Sequence, residues 1–352
     1  MSTSSVQSEA DVVTRGRRAS ASRAMSCAIM CAVTCVIVAL AGCSGPALPK
    51  EKFDPDNKPA ANRATLPKAI DVVRAYNRRV ADISRMRTPV SAVIDVPRVD
   101  ESGKLTGERQ KDQLDGNLQF IQPDRVSLRM DKVQQTVFSL GSGGGKYWFI
   151  TMGDEPVAYT GSMSKATLAK AKSLGLPIHP LDLLELMAVT PMPENAKLSW
   201  WGEYVRVVAP ARWGTREVLV NAKTFEPAAV WLRDASGKIA VWAETTNFKS
   251  VAVEGKGTTA ASVPGRVRAV VPGGAVKGAA GKNAAADGAS YIELFLAKPE
   301  NTGNRIRERQ FQLDAVLEAA SVKEIIDIDV DVDVDIRATG VKPVQGTGSG
   351  GK

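Results

Sequence analysis

An apolar stripe with helical spacing lies near the start of the segment that we expect to fold. Its members recur at intervals of four, three, four and three residues: Ala69, Val73, Tyr76, Val80 and Ile83. Because a helix completes one turn in about 3.6 residues, this spacing places the apolar groups on one face. Pro67 is tolerated in a first helical turn, and Thr88-Pro89 favours a helix end. The pattern therefore predicts an amphipathic helix that packs on a sheet.

Short segments typical of β-strands dominate the chain after this helix. Residues 125–130 alternate strictly between polar and apolar side chains, and residues 147–150 follow the glycine-rich stretch 141–145. Consecutive strands joined by short Gly or Pro turns are typical of an antiparallel meander. The pattern predicts a mainly β fold with about eleven strands in a single antiparallel sheet.

Two short helical segments interrupt the strand pattern between residues 162 and 187. Residues 164–174 are rich in Ala, Lys and Leu, and the following Gly175 is typical of a helix end. Pro180 precedes a leucine-rich run at residues 181–187. Helices inserted into a meander must cross a face or the mouth of the sheet. We therefore expect these two helices to act as a lid.

The C-terminal region alternates aspartate with Ile or Val between residues 325 and 336. An extended chain would place these carboxylates on one face at about 6.6 Å spacing, where their mutual repulsion opposes a stable strand. The pattern predicts a low-complexity acidic tail at 314–352 with a Gly-rich end. The alternative is a calcium-binding or partner-binding edge, with Asp329, Asp331 and Asp333 as candidate metal ligands.

A basic segment followed by an apolar one occupies the N-terminus. Four arginines precede an apolar run of about 17 residues, which is the order of a secretory signal and lies at the lower limit for a membrane span. The run ends in Leu-Ala-Gly-Cys43, which resembles the lipobox of a bacterial lipoprotein. That resemblance implies a signal peptide at 1–42 and acylation of Cys43 with chains such as palmitate. A flexible tether at 43–62 is expected to follow. Ser44 favours the outer membrane under the sorting rule that the same resemblance implies.

The composition excludes several kinds of chemistry. The four cysteines are Cys27, Cys31, Cys35 and Cys43. Removal of the signal and acylation of Cys43 therefore leave no thiol for catalysis, zinc binding or disulfides. The formal net charge is +8 over 352 residues, and the basic residues are scattered among acids. This distribution disfavours nucleic acid as a partner.

No group of residues in the sequence has the spacing of a catalytic centre. His179 is the one histidine, so it cannot build a multi-histidine metal site, and we expect it to cap a helix or fill a loop. The stretch 141–146 lacks the spacing of a phosphate-binding loop and leads into a strand, so a hairpin turn is expected. We therefore expect neither enzymatic activity nor a cofactor.

The order of several short motifs resembles the periplasmic lipoprotein-carrier superfamily, which is LolA/LolB-like. The segments that carry the resemblance are 118–128 (LQFIQPDRVSL), 137–142 (VFSLGS), 145–148 (GKYW), 218–221 (VLVN), 225–227 (FEP) and 235–238 (ASGK). The resemblance implies a half-open barrel, a strongly curved antiparallel sheet of eleven strands with a helical lid over an apolar cavity. The domain predicted from it spans 63–313, with a disordered insertion loop at 272–289.

Large apolar side chains in the strand and lid segments are the candidate lining of this cavity. They are Phe138, Trp148, Trp231, Trp242, Leu183 and Leu186. The alternative is that the tryptophans belong to an aromatic-rich core. Trp231 and Trp242 flank one predicted hairpin, so we expect them to be neighbours.

Two functional hypotheses follow from this pattern and this resemblance. The first is a membrane-anchored, non-enzymatic lipoprotein of the cell envelope that binds lipid or lipoprotein acyl chains in an apolar cavity. Such a protein would take part in lipid or lipoprotein trafficking. The alternative is an envelope sensor or scaffold that binds a protein partner through the sheet edge or the acidic tail.

Overall fold

The computed structural model describes residues 52–57, 59–60, 64–100, 105–174, 176, 178–256, 261–273, 288–301 and 305–330. These residues belong to the compact unit that begins at Lys50. The predicted signal peptide, Cys43, residues 274–287 of the predicted insertion loop, Asp331 and Asp333 lie outside these ranges. Among the described helices, none has the length and the hydropathy that crossing a membrane requires.

The helices in the described ranges are short. They are α1 (Ala69–Val80), α2 (Leu168–Ser173), α3 (Leu183–Leu186) and α4 (Leu313–Ala319), with a 3₁₀ turn at Glu308–Phe311 before α4. The stripe in the sequence predicts α1, but the helix ends at Val80 and not at Thr88-Pro89, which lies within the strand Arg85–Val99. α2 begins after Thr167, whose side-chain oxygen accepts the N–H of Lys170 at 3.3 Å, a helix cap that the residue type favours.

Eighteen strands lie in the described ranges, several of them only two residues long. In chain order, β1 to β9 are Arg85–Val99, Leu105–Ile121, Arg125–Lys132, Gln135–Gly143, Lys146–Thr151, Val157–Ser162, Lys197–Trp201, Tyr204–Pro210 and Gly214–Asn221. β10 to β18 are Pro227–Asp234, Ile239–Thr246, Lys249–Ser250, Ala252–Val253, Ser262–Val263, Arg266–Val271, Ser290–Leu296, Glu300–Asn301 and Glu324–Asp327.

Sixteen of these strands form one open sheet. Its order is β18-β6-β5-β4-β3-β2-β1-β16-β15-β11-β10-β9-β8-β7, and β17 joins it beside β1 and β13. Because β18 and β7 lie at opposite ends of this order, the sheet is not closed. The predicted mainly β fold, a curved half-open barrel with an N-terminal helix, is confirmed. The sheet differs from the prediction in having more strands and two parallel pairs, β18 with β6 and β13 with β17.

The sheet buries apolar side chains on both faces, and the two faces are covered differently. We call the face that contacts α1 and α3 the capped face. It carries the largest apolar cluster, which includes Leu118, Leu128, Val205, Val218 and Val230. The opposite face carries smaller clusters around Trp148 and around Trp231 with Trp242. Since neighbouring residues of a strand point to opposite faces, one strand supplies both clusters.

An N-terminal segment covers part of the opposite face. Phe53 is 6% exposed and lies against the rings of Trp201 and Tyr204. Its carbonyl oxygen accepts the indole N–H of Trp231 at 3.0 Å, and Lys52 Nζ donates to Tyr204 Oη at 2.8 Å. The sequence predicts a flexible tether at 43–62, whereas residues 52–57 dock on the sheet. One phenylalanine among polar residues does not distinguish a tether from a docked segment by pattern alone.

The C-terminal region also differs from its prediction. The sequence predicts an acidic tail from residue 314, but α4 packs Leu313, Val316 and Leu317 against the cluster around Trp148. Residues 324–327 then pair with β6 in parallel. Two apolar members of the alternating pattern explain the difference, because Ile326 and Ile328 pack against the large apolar cluster. Asp329 beside them is bound by Ser162 N and Lys170 Nζ.

Phe53→Ala tests the docking of residues 52–57. We expect the free energy of unfolding to fall by about 2–4 kcal/mol, since a buried aromatic side chain is lost. Urea denaturation followed by circular dichroism measures the change. Leu66→Ala is the control, because Leu66 is 36% exposed and its truncation should cost less than about 0.5 kcal/mol. Equal stability of the two variants would mean that the segment is a free tether.

Candidate functional site

A cap made of α1 and residues 178–192 covers the capped face of the sheet. The two parts of the cap are joined by side chains of α1. Tyr76 Oη donates to the carbonyl oxygen of Ala188 at 2.7 Å, and the side chain of Asn77 exchanges two hydrogen bonds of 2.8 Å with the backbone of Met192. Arg79 also donates to the Ala188 carbonyl oxygen. The cap is therefore a unit in which backbone groups of 188–192 depend on polar side chains of α1.

The apolar side chains of the cap fill the space beneath it. Leu183, Leu186, Met187, Ala188 and Val189 each have a relative exposure of 0%. They belong to the same cluster as the inward-facing residues of the sheet. The capped face is consequently a packed interior in this structure, and a bound acyl chain would have to replace cap side chains.

The structure separates the six residues that the sequence predicts as a cavity lining. Phe138, Leu183 and Leu186 lie in the large cluster beneath the cap. Trp148, Trp231 and Trp242 lie on the opposite face, so the prediction that they line the same hollow is wrong. The prediction assigned alternate residues of these strands to the wrong faces of the sheet. The residues that point to the capped face are the flanking ones, Tyr147, Phe149, Val230 and Leu232. Trp231 and Trp242 are register partners, as expected.

A buried carboxyl group lies inside the cap. Asp182 is 4% exposed, and its Oδ1 accepts the indole N–H of Trp213 at 2.6 Å. The pKa of Asp182 is raised to about 7, chiefly by burial and to a smaller extent by the nearby Glu185 carboxylate, while the Trp213 hydrogen bond and Arg212 oppose the rise. A carboxyl group with this pKa is largely protonated below neutral pH, which removes the cost of burying a charge.

A buried imidazole lies beside it. His179 is 5% exposed, its Nδ1 accepts the N–H of Leu181 at 3.3 Å, and its Nε2 has no partner within the described residues. The ring meets Tyr147 edge to face at a centroid distance of 4.8 Å. Burial lowers the pKa of His179 to about 3, with a smaller contribution from Arg212. The imidazole is thus neutral at neutral pH, and it lies in the loop before the leucine-rich helix, with one of its two nitrogens accepting a backbone N–H.

A glycine makes room for this ring contact. A Cβ on Gly161 of β6 would lie 2.5 Å from the hydroxyl oxygen of Tyr147, so any larger residue would displace the tyrosine. The Tyr147 hydroxyl is buried and lacks a partner among the described residues. Burial raises the pKa of Tyr147 to about 12, with added contributions from the carboxylates of Asp329 and Asp327. The phenol therefore stays protonated.

A pocket of about 410 Å³ opens at the rim of the cap. Its apolar lining comes from Pro123, Val126, Pro180, Leu181 and Leu184, and its polar lining comes from Asp124, Glu185, Thr190 and Arg212. Burial raises the pKa of Glu185, while Arg216 and Arg212 lower it. The rim pocket combines apolar walls with charges of both signs, and its volume lies within the usual range for small-molecule sites.

The sequence did not identify the polar residues of this site. Asp182 and Glu185 interrupt the leucine-rich run, and that interruption is the signal that a sequence reader could have used. Arg212 and Trp213 come from a turn between β8 and β9, and no local pattern indicates that this turn meets the cap. Only the topology of the sheet brings these four residues together.

The candidate metal ligands have a different role. Asp329 Oδ2 accepts the backbone N–H of Ser162 at 2.8 Å, and Oδ1 accepts Lys170 Nζ at 2.9 Å. Its carboxylate is therefore occupied by protein donors, which corrects the prediction of Asp329 as a metal ligand. The described residues contain no group of three or more His, Cys, Asp or Glu side chains that could hold a metal ion.

Several solved structures resemble this chain. A LolA superfamily protein from Nitrosomonas europaea matches 70% of this chain and 99% of its own length at 11% identity, with a TM-score of 0.40. A domain from Vibrio parahaemolyticus named for outer membrane lipoprotein sorting matches 71% and 99% at 10% identity, with a TM-score of 0.40. A DUF1329 family protein from Desulfovibrio piger matches 71% and 99% at 9% identity, with a TM-score of 0.43.

No protein-family model and no curated protein matches the chain. The chain is similar to these solved structures, one of which is described as a LolA superfamily protein. At identities of 9 to 11% the likeness concerns the fold. Residue roles do not transfer from these proteins to the cap or to the rim pocket.

The pH dependence of stability tests the burial of His179 and Asp182. The folded pKa of Asp182 is raised from 3.8 to about 7, so the stability that its protonated form contributes is complete below about pH 4 and is lost as the pH rises to 7. The folded pKa of His179 is lowered from 6.5 to about 3, so its contribution is complete above pH 6.5 and is lost as the pH falls. Between about pH 4 and 6.5 the two groups change the unfolding free energy with pH in opposite directions.

Replacing either group should reveal the pH dependence of the unfolding free energy that the other group causes. Relative to the unmodified chain, Asp182→Asn should lose about 1.4 kcal/mol of unfolding free energy per pH unit as the pH falls from 6.5 to 4. His179→Gln should lose a similar amount as the pH rises over the same interval. Urea denaturation at a series of pH values measures both. Curves parallel to that of the unmodified chain would show that neither group titrates on unfolding.

Proposed function

We propose that this protein is a non-enzymatic lipoprotein of the bacterial cell envelope that binds acyl chains of a lipid or of another lipoprotein beneath its cap. The observation that carries the proposal is the way the capped face is covered. An open sheet with one large apolar face is closed by a short segment, 178–192, and one helix. A segment of this size can move away and leave the strands of the sheet paired.

The buried polar groups of the cap and of the sheet beneath it favour movement of the cap away from the sheet. Burial keeps Asp182 protonated to about pH 7 and keeps His179 neutral, and both groups would regain water when the cap opens. Arg216 is 3% exposed, and its Nε and Nη1 have no partner in the described part of the chain. A buried polar group without a partner costs about 1–3 kcal/mol. These costs lower the free energy that an incoming ligand must supply.

An acyl chain offers a suitable replacement for the cap side chains. Burial of each methylene contributes about 0.8 kcal/mol. A chain of several methylenes could therefore compensate for the apolar contacts that Leu183 and Leu186 give up. Arg212, Glu185 and Asp124 at the rim pocket would then face the polar end of such an amphiphile.

The membrane anchor belongs to the same proposal. The sequence supports acylation of Cys43 after removal of residues 1–42, and two or more acyl chains would hold the protein stably on a membrane. We propose attachment on the periplasmic side of the envelope, with the outer membrane favoured by Ser44. An acyl-binding domain fixed there would meet its ligands at the membrane surface.

A second function, binding of a protein partner, is favoured by one specific observation. The C-terminal segment lies at the edge of the sheet, where strands can be added or exchanged. An envelope sensor or scaffold would use such an edge. The rim pocket and the cap have no evident role in that alternative.

Lipid extraction tests the first proposal. We expect the purified protein to release phospholipid or acylated peptide into chloroform–methanol, detected by mass spectrometry, and to bind a fluorescent fatty acid. Leu181→Trp should reduce the affinity about tenfold, because the larger ring fills the rim pocket. Leu66→Trp, outside the pocket lining, is the matched control. A protein that yields no lipid and rejects the fluorescent fatty acid would refute acyl binding.

Cys43→Ser tests the anchor separately. The variant should leave the membrane fraction after cell lysis and retain the unfolding transition of the parent, since the substitution changes no contact among the described residues. Membrane flotation and circular dichroism measure the two properties. Retention of the variant in the membrane would indicate an uncleaved apolar N-terminus instead of lipidation.

A further inference from the structure

The last described segment of the chain, residues 323–330, is bound to one neighbouring strand. Its backbone pairs in parallel with β6, from Glu324 opposite Val157 to Asp327 opposite Thr160. The pairing is extended at both ends, because Lys323 N donates to Pro156 O at 2.9 Å and Ile328 N donates to Thr160 O at 2.8 Å. We call these residues the terminal strand segment.

Two side chains fasten the terminal strand segment to the rest of the fold. Ile328 is 3% exposed and belongs to the large cluster of the capped face. Asp329 is bound by the backbone N–H of Ser162 and by Lys170 Nζ, and this ion pair is nearly buried, with side chains 4% and 14% exposed. If one member of this ion pair is replaced, the other remains as a buried charge without a partner. The segment therefore needs equivalent partners wherever it binds.

The connection between α4 and the terminal strand segment is short and strained. α4 ends at Ala319, and residues 320–322 reverse the chain before β18. Ser321 has a φ of +50°, in the left-handed region that is unfavourable for a residue with a side chain, although its N–H and that of Val322 donate to the carbonyl oxygens of Glu318 and Leu317. A short connection under strain is the kind of hinge that favours exchange of the following element between two chains.

We propose that the terminal strand segment is exchanged between two copies of this chain, so that each copy's segment pairs with β6 of the other. A second copy carries the same Ile328 and Asp329, so it reproduces the ladder, the apolar contact and the ion pair without any new surface. The hinge at Ser321 would then extend and lose its strained φ. Association entropy opposes the exchange, so the dimer should form at high protein concentration.

Disulfide trapping tests the exchange directly. Ala158 and Ile325 are register partners; Ile325 is 57% exposed and Ala158 is fully buried, so each cysteine variant must first show the unfolding transition of the parent chain. In a full-length chain whose four native cysteines are replaced by Ser, Ala158→Cys is made in one preparation and Ile325→Cys in another. After mixing at high concentration and oxidation, we expect a disulfide-linked heterodimer on a non-reducing gel. The double variant should cross-link within one chain at low concentration.

The control separates exchange from random collision. Val133→Cys, 91% exposed, replaces Ile325→Cys in a parallel mixture with the Ala158→Cys chain. A heterodimer yield several-fold above this control supports the proposal, whereas a yield equal to the control overturns it.

Light scattering on chains without introduced cysteines gives an independent result. The unmodified chain should form a dimer whose fraction rises with concentration. Ser321→Gly should reduce the dimer fraction several-fold, because glycine adopts a positive φ without strain and so favours the closed monomer. A dimer fraction that Ser321→Gly leaves unchanged, or a monomer at every concentration, would overturn the proposal.

Discussion

The burial of one large apolar sheet face is the constraint on which the rest of this structure depends. An open sheet of this size must cover that face, and the small two-stranded sheet of β12 and β14 adds only Val263 to the apolar cluster there. Most of the cover comes from α1 and residues 178–192, in which Leu183, Leu186 and Met187 are removed from water. The cap therefore holds the interior together while being its smallest and least regular part. In the proposed function, a cover of this kind closes the fold and moves to admit an acyl chain.

The polar residues of the cap modify this constraint. Asp182 and His179 are held in their neutral forms by burial, and neither forms an ion pair among the described residues. A fully apolar cap would bind the sheet more tightly but would also be harder to displace. The cap buries polar groups at a cost in free energy. This cost is the feature of the packing that connects the structure to the proposed acyl binding. The opposite face is covered in part by Phe53 and α4, which pack against its tryptophans.

The sequence predicts those features that depend on local periodicity. The stripe of α1, the strict alternation of β3 and the leucine-rich run of α3 are all readable, and so is the mainly β class. The phase of Trp148, Trp231 and Trp242 was not, because apolar residues flank each tryptophan and both sheet faces are buried. Asp329 shows the same limit. Its alternating neighbours indicate a charged tail, and only the position of Lys170 on α2 converts the pattern into a docked strand.

Hydrogen exchange of the cap amides tests the central claim most directly. The N–H groups of Leu186, Met187 and Val189 are bonded within the cap, and β3 and β9 supply reference amides from the sheet. The account predicts that the cap amides exchange through an opening several kcal/mol less costly than global unfolding, and that a bound acyl chain changes their exchange while the sheet amides stay protected. Cap and sheet amides that exchange only together, at the free energy of global unfolding, would contradict it.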